Sequence, residues 1–406
     1  MTSPSLESAG KRAFVLACLV LLALNLRASV GSIGVVLSPV REDLGMSATA
    51  AGVLTTLPVV CFAVVGSLAN TIVRAIGLHT TAVVSMAAVA AGLGVRAFVD
   101  DATLFLVASA VSLAGCAVGN VILPPLVKVH FPDRIAFVSS IAGAAIVGGA
   151  TLSSALTVPL SEAAGDWRWG LFAWSLLAVV TVVPWLRLLR HDVRTTDDAS
   201  RVGIRRLVRA PLAWTMAVCF GAQAAQAYAQ FGWFPAILED AGLSSGYAGS
   251  MLAIITGIGI PPALLLPLLI ARTGDRAWLP WGFAVVTVAG WLGLLWWPVQ
   301  APWLWAILLG VGGAAFPWVL MMIAKRSRTH EGTVALSGFV QGFGYLVAAL
   351  GPFGTGALHD ITGGWGAPIV MLVVLATLIG VLGASLVRPI MLEDQLDGGA
   401  AGRGPR

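Results

Sequence analysis

Arg27 places a guanidinium about halfway along an apolar run from Ala13 to Leu37, and no acidic residue shares that run. An ionised side chain at such a depth is costly in hydrocarbon, so it faces a protein interior or an aqueous path and marks a functional site. A guanidinium stays charged, and its donors form a rigid fork that suits a small planar oxyanion or a nitro group. All 19 acidic residues fall at run edges, in loops or in tails. Arg27 therefore either binds backbone and amide oxygens or receives an anion or strongly polar ligand.

Amides supply the second kind of chemistry. Gln223, Gln226 and Gln230 fall near one helical face of a later apolar run, with Tyr228 well round the cylinder and Trp233 beyond. Three amides on one face exceed what lipid tolerates, so that face looks inward. Gly338, Gln341, Gly342 and Tyr345 share a face in another run, and Asn120 lies just before Pro124 and Pro125. The expected substrate-binding set is Arg27, Asn120, Gln223, Gln226, Tyr228, Gln341 and Tyr345. Asn25 lies about 200° round the helix from Arg27 and is expected to bond to a neighbouring helix. Arg27, Gly31, Gly34 and Ser38 step along one side of their run, which suits close helix contact or a cavity wall.

Other chemistry is poorly provided for. Cys18, Cys61, Cys116 and Cys219 all sit inside apolar runs without metal-like spacing and read as buried small hydrophobes. No clustered nucleophile, acid–base pair or metal ligand set appears, so neither enzyme activity, cofactor nor metal is expected. His79, His130, His191, His330 and His359 lie near run ends or in loops, and Asp133 and Glu331 occupy corresponding turns. Solvated helix-end roles are expected for them. Proton coupling stays open, because no buried carboxylate relay is present.

The elements that must position these groups are membrane helices. The chain has 406 residues, 58% hydrophobic and 11% charged, grouped into long apolar runs with short polar punctuation. The spans are placed at approximately 13–37, 48–70, 79–98, 102–127, 135–158, 169–189, 212–236, 246–270, 280–298, 302–323, 332–357 and 366–388. The first is a span rather than a signal peptide: it is long, holds Arg27 and is followed by many like it. Twelve spans put both termini on one side. Of the 24 Lys and Arg residues, only Arg41, Arg96 and Arg168 then lie opposite, with Arg27 in the membrane. This distribution makes the terminal side cytoplasmic. The basic stretch from Arg187 to Arg209 is a linker beside anionic lipid, not a nucleic-acid patch.

The chain also repeats itself. The segment from Asp43 to Gly52 returns from Asp240 to Gly249, an offset of 197 residues, and Gly77 meets Gly274 at the same offset. The Trp167 turn meets the Trp365 turn close to it. Two halves of six spans follow, at 1–189 and 212–390, with a cytoplasmic linker at 190–211 and a flexible tail at 391–406. Parallel repeats of this kind are the arrangement of a major-facilitator transporter, whose site lies midway between the halves. Ser47 and Ser244 read as helix N-caps. Arg272, Asp275 and Arg276 form a charged turn that could latch helix ends. Pro124, Pro125 and Pro317, the last between Phe316 and Trp318, are expected to bend or interrupt helices that move.

These residues resemble the cyanate/nitroimidazole permease family within the major facilitator superfamily over nearly the full chain. The resemblance is carried by Leu24-Asn-Leu-Arg27, by Gly119-Asn-Val-Ile-Leu-Pro124 with Lys128 and Phe131-Pro132, and by Leu336-Ser-Gly-Phe-Val-Gln-Gly-Phe-Gly-Tyr345 running on to His359-Asp360. It implies an all-α membrane protein of a bacterial inner membrane, moving a small anionic or nitro-bearing solute without covalent chemistry. Two departures stand out: Ala28 replaces the family's proline after the arginine, and Gln226 and Gln230 make span 7 more polar than usual. The expected function is alternating access around Arg27, in a monomer embedded in lipid, with a drug/proton antiporter for amphipathic compounds as the alternative.

Overall fold

The computed structural model describes residues 9–189 and 204–401, and these are helical apart from turns. The first helices are α1 (Ala9–Gly34), α2 (Leu37–Asp43), α3 (Ala48–Ile76), α4 (Leu78–Ala97), α5 (Ala102–His130), α6 (Ile135–Ala164) and α7 (Trp167–Leu188). There follow α8 (Ile204–Leu207), α9 (Pro211–Asp240), α10 (Ser245–Ile258), α11 (Ile260–Thr273), α12 (Trp278–Trp296), α13 (Pro302–Gly312) and α14 (Ala315–Lys325). The last are α15 (His330–Ala348), α16 (Leu350–Thr362), α17 (Gly366–Leu386) and α18 (Leu392–Ala401). Most of the expected 190–211 linker lies outside the described residues.

Contacts divide the chain into two compact units. Unit 1 is Met1–Gly45 with Val64–Thr196, and unit 2 is Met46–Ala63 with Asp197–Arg406. Within unit 1, α1 packs on α4, α5, α6 and α7, and α4 packs on α5 and α7. Within unit 2, α9 packs on α10, α14, α15, α16 and α17, and α12 packs on α13 and α17. The early part of α3 is tied into unit 2: Asp360 accepts from the Thr49 amide at 2.6 Å and from its hydroxyl. Apolar side chains such as Val107, Val180, Val285 and Val374 stay exposed, as a lipid-facing surface requires.

Backbone geometry repeats with the sequence. Among the described residues, positive φ occurs only at Gly45, Gly77, Gly165, Gly242, Gly274 and Gly363. These pair at the repeat offset: Gly45 with Gly242, Gly77 with Gly274, and Gly165 one residue off with Gly363. A side chain at any of them would be strained, so the same turns are built the same way twice. Packing repeats too. A Cβ on Gly92 of α4 would meet the Ala108 carbonyl, and one on Gly290 of α12 would meet the Trp305 carbonyl. Ser47 and Ser244 are N-caps as expected, accepting from the Ala50 amide at 3.1 Å and the Tyr247 amide at 3.3 Å.

Prolines decide where helices stop. Turns interrupt the helical run at Val36, Gly259, Ala314 and Ala349, each three residues before Pro39, Pro262, Pro317 or Pro352. A proline ring collides with the carbonyl four residues back and lacks a donor, so the preceding turn opens. Pro317 thus interrupts its span as expected. Pro124 and Pro125 do not: α5 runs unbroken through both. The break at Val36 also takes Ser38 into α2 and ends the Arg27 face at Gly34.

Twelve spans were expected, and among the described residues ten segments are long and apolar enough to cross a membrane. The two that fall short have identifiable causes. Gln223, Gln226 and Gln230 lower the hydropathy of α9, and the Gly259 break splits the eighth run into α10 and α11, too short singly.

The tail also departs from the flexible segment expected. Its α18 docks through Glu393, whose Oε1 accepts from Ser327 Oγ at 2.8 Å, Arg328 N at 2.9 Å, and Thr329 N and Oγ1 at 3.1 Å. Partial burial pushes this carboxyl up, but the Arg328 and Thr329 amides and the Ser327 hydroxyl outweigh it and hold it at about 2. Asp394 pairs with Arg328 at 2.6 Å. The matching turn of unit 1 is pinned differently, by an exposed ion pair of Arg12 with Asp133 at 3.0 Å.

Candidate functional site

In unit 1 the polar groups gather around α1. Asn25 donates to Thr181 Oγ1 of α7 and to the Leu21 carbonyl, both at 2.8 Å, which is the neighbouring-helix bond expected of it. Ser29 Oγ lies 2.8 Å from Ser112 Oγ of α5. Cys116 Sγ approaches Ser29 Oγ and the Asn25 carbonyl at 3.7 Å. Arg27 is half-buried on α1. Gly31 fits against Ala150 and Ser153 of α6, so the small-residue face makes a close helix contact. Asn120 is half-buried on α5, with no protein hydrogen bond among the described residues.

Arg96 is the residue that sequence reading missed. Counted as a charge at the far end of its span, it is instead 1% exposed. Its Nη2 donates to Ser32 Oγ at 3.1 Å and the Ser29 carbonyl at 3.4 Å, and its Nε is buried without a partner. Its partners are neutral oxygens only. The signal was in the spacing: Ser85, Val89, Gly92 and Arg96 step along the buried face of α4.

In unit 2 the expected amides separate into two kinds. Gln226 is used up by packing: its Nε2 donates to the Leu372 carbonyl at 2.5 Å, and its Oε1 accepts from Trp291 Nε1 at 2.6 Å. It ties α9 to α12 and α17. Gln223 and Gln230 are 3% and 6% exposed and have no protein hydrogen bond among the described residues. Gln341 is half-buried and donates to Ser337 Oγ at 2.8 Å, leaving its carbonyl oxygen available. Tyr345 sits in an aromatic cluster, with ring centroids 5.4 Å from Phe62, 5.1 Å from Phe220 and 6.5 Å from Tyr228. Trp318 is buried.

The charged turn does not pair within itself. Arg272 and Arg276 are exposed, whereas Asp275 accepts from Lys325 Nζ at 2.7 Å and lies 3.4 Å from Arg326 Nη2. Arg326 is buried and also donates to the Leu386 and Val387 carbonyls. At the repeated aspartates, Asp43 and Asp100 both pair with Arg168, and Asp240 accepts from Trp365 Nε1 at 2.9 Å. His79 departs from its expected solvated role. It is fully buried, and its Nε2 lies 2.9 Å from His130 Nε2.

Comparison with known proteins matches this architecture to one family. The family model described as Major Facilitator Superfamily matches residues 16–352. A 2-nitroimidazole transporter of Escherichia coli (strain K12) is 30% identical over 94% of this chain and 98% of its own length. The cyanate transport protein CynX of the same organism is 31% identical over 86% of this chain and 91% of its own. An uncharacterized transporter YycB of Bacillus subtilis (strain 168) is 32% identical over 90% and 91%. Among solved structures, nucleoside transporter NupG superposes with a TM-score of 0.74 at 12% identity, covering 92% of this chain and 98% of that one. The family match spans most of the chain and the relatives span nearly all of it. The chain therefore belongs to the Major Facilitator Superfamily, as a multi-pass membrane transporter related to bacterial cyanate and 2-nitroimidazole permeases rather than a catalytic enzyme.

Proposed function

We propose that the chain moves a small anionic or nitro-bearing solute across the bilayer by alternating access, with Arg27 as the charge anchor. The observation that carries this reading is a half-buried guanidinium in the second half of the apolar helix α1, on the side away from the Asn25 and Ser29 contacts with α7 and α5. Relatives of similar length named for cyanate and 2-nitroimidazole transport support the solute class. Asn120, Gln223 and Gln341 supply directional hydrogen bonds, and Tyr228 and Tyr345 supply aromatic surface. Gln226 is left to its packing role. Twelve spans in two six-helix bundles complete the proposal, at 1–189 and 212–390, with α10 and α11 forming one broken span and α9 an amide-bearing one. Both termini face the cytoplasm, on the distribution of Lys and Arg. The protein works as a monomer, with Pro317 as a flexible point and Asp275 as the acceptor of a latch.

The test is uptake by purified protein in proteoliposomes. Nitrite, cyanate, small carboxylates, 4-nitrobenzoate and 2-nitroimidazole are offered with and without a pH gradient. Uptake of one or more by the wild type, lost in a folded Arg27→Ala protein and partly kept in Arg27→Lys, supports the reading. Undiminished uptake by Arg27→Ala removes Arg27 from the site. Dependence on the pH gradient establishes proton coupling.

A further inference from the structure

We propose that Arg96 is a second positive determinant of the transport site, which sets the preference for anions without touching the solute. The inference rests on the reading of Arg27 as charge anchor and extends it to a residue buried behind α1. Three observations carry it. The first is the charge itself. Arg96 is 1% exposed and its partners are one hydroxyl and one carbonyl, so its charge is uncompensated by any carboxylate among the described residues. A buried, unpaired cation is expensive to keep, and it projects its field further than a solvated one.

The second is where it is attached. Ser29 and Ser32, its two partners, lie two and five residues beyond Arg27 on the same helix. Ser29 in turn meets Ser112 of α5. Arg96 Nη2 thereby ties α4 to the stretch of α1 that follows the Arg27 guanidinium.

The third is that the fold does not require a charge there. Gly92 and Gly290 occupy matching places against a helix carbonyl. Four residues after Gly290 the chain has Leu294, which is 1% exposed. The same slot is thus filled by an ordinary apolar side chain in unit 2. Packing alone gives no reason to bury an arginine in unit 1, whereas raising the positive potential behind Arg27 does.

The experiment measures binding of an isosteric pair, 4-nitrobenzoate and its neutral amide 4-nitrobenzamide, to purified full-length protein by tryptophan fluorescence. Arg96→Leu, which copies the unit 2 residue, weakens 4-nitrobenzoate about tenfold, the size of one charge acting through partly screened protein. The neutral amide changes less than about twofold, within the range of a distant neutral substitution. Arg96→Lys restores most of the preference because it keeps the charge. Ser32→Asp provides an independent route, since a carboxylate beside Arg96 neutralises it in place and lowers the anion preference in the same sense. A variant pair that weakens both probes equally assigns Arg96 a structural role and overturns the proposal. So does an unchanged ratio of the two affinities in folded Arg96→Leu or, should that protein not fold, in Ser32→Asp. If Arg27→Ala abolishes 4-nitrobenzoate binding while these variants keep the ratio, the Arg27 reading stands and this one falls. Binding of neither probe by the wild type overturns this proposal, while the Arg27 reading is decided by the uptake of the smaller anions.

Discussion

Four residues beyond a glycine that lies against a neighbouring helix carbonyl, unit 1 buries Arg96 and unit 2 buries Leu294. The contrast runs through the two layers as a whole. Unit 1 sets Arg96 among hydroxyl and carbonyl oxygens, whereas unit 2 ties Gln226 to the Trp291 indole and sets Tyr228 and Tyr345 among aromatic rings. Turns, caps and helix contacts repeat between the units, so these differences are not consequences of the fold. They are where a duplicated scaffold has been given two chemistries, one cationic and one neutral.

The comparison breaks most sharply in reverse. Leu294→Arg puts into unit 2 the charge that unit 1 tolerates, at a place where an apolar side chain is fully buried. An unpaired buried charge costs about 3–5 kcal/mol, so the variant should lose most of its folded yield by size-exclusion chromatography. A yield equal to the wild type would mean that unit 2 already offers oxygens to a cation there. Arg27→Ala comes next. Removing one partner of a desolvated charged contact costs about 2–5 kcal/mol, so solute affinity should fall roughly a hundredfold in proteoliposome uptake. Its melting temperature should stay close to that of the wild type.

Two glutamines on one helix sharpen the division within unit 2. Gln226→Leu strands the Trp291 indole N–H, and a buried group left unsatisfied costs about 1–3 kcal/mol. The melting temperature should drop while solute affinity holds. Gln223→Leu strands no protein group among the described residues, so stability should hold while affinity falls by about one hydrogen bond, or roughly three- to tenfold. The opposite pattern would exchange their roles.

How much of this was legible in the sequence depends on whether a residue acts locally. Ser47 and Ser244 could be read as caps because a cap answers only to its own next turn. The repeat could be read because glycine is the residue that takes a positive φ without strain, and Gly77 and Gly274 had to return with the turns they make. Arg96 was misplaced because its position near a span end looked solvated, although the step from Gly92 puts it on the buried face. Gln223 and Gln226 could not be separated at all. They differ only in what stands opposite, and Trp291 and Leu372 arrive from other helices. The interruption at Gly259 was hidden for a related reason: hydropathy reads Ile260-Pro-Pro as apolar, while the backbone reads it as a missing donor and a collision. His79 looked like a helix-end residue until α5 delivered His130 to it.

The smallest contrast is at the turn after the fourth helix of each half. Unit 1 holds it with Arg12 and Asp133, both exposed, and an exposed pair of this kind contributes little. Unit 2 holds it with Glu393, on which four donors converge, so α18 should depend on that one carboxylate. Glu393 is held at about 2 against an ordinary 4.5, a depressed value, so its contribution is full above 4.5 and is lost as pH falls toward 2. Protection of the α18 amides against hydrogen exchange, relative to the free-chain rate at each pH, should therefore be high at neutral pH and fall between about pH 4 and pH 2, the window in which a depressed carboxyl takes up its proton. Glu393→Gln should exchange faster at neutral pH, because an uncharged amide oxygen holds the same donors more weakly, and should lose the acid transition, because it does not titrate. Asp133→Asn should leave exchange in its own turn unchanged. Slow exchange of α18 in Glu393→Gln would show that Leu392 packing, not the carboxylate, fastens the tail helix.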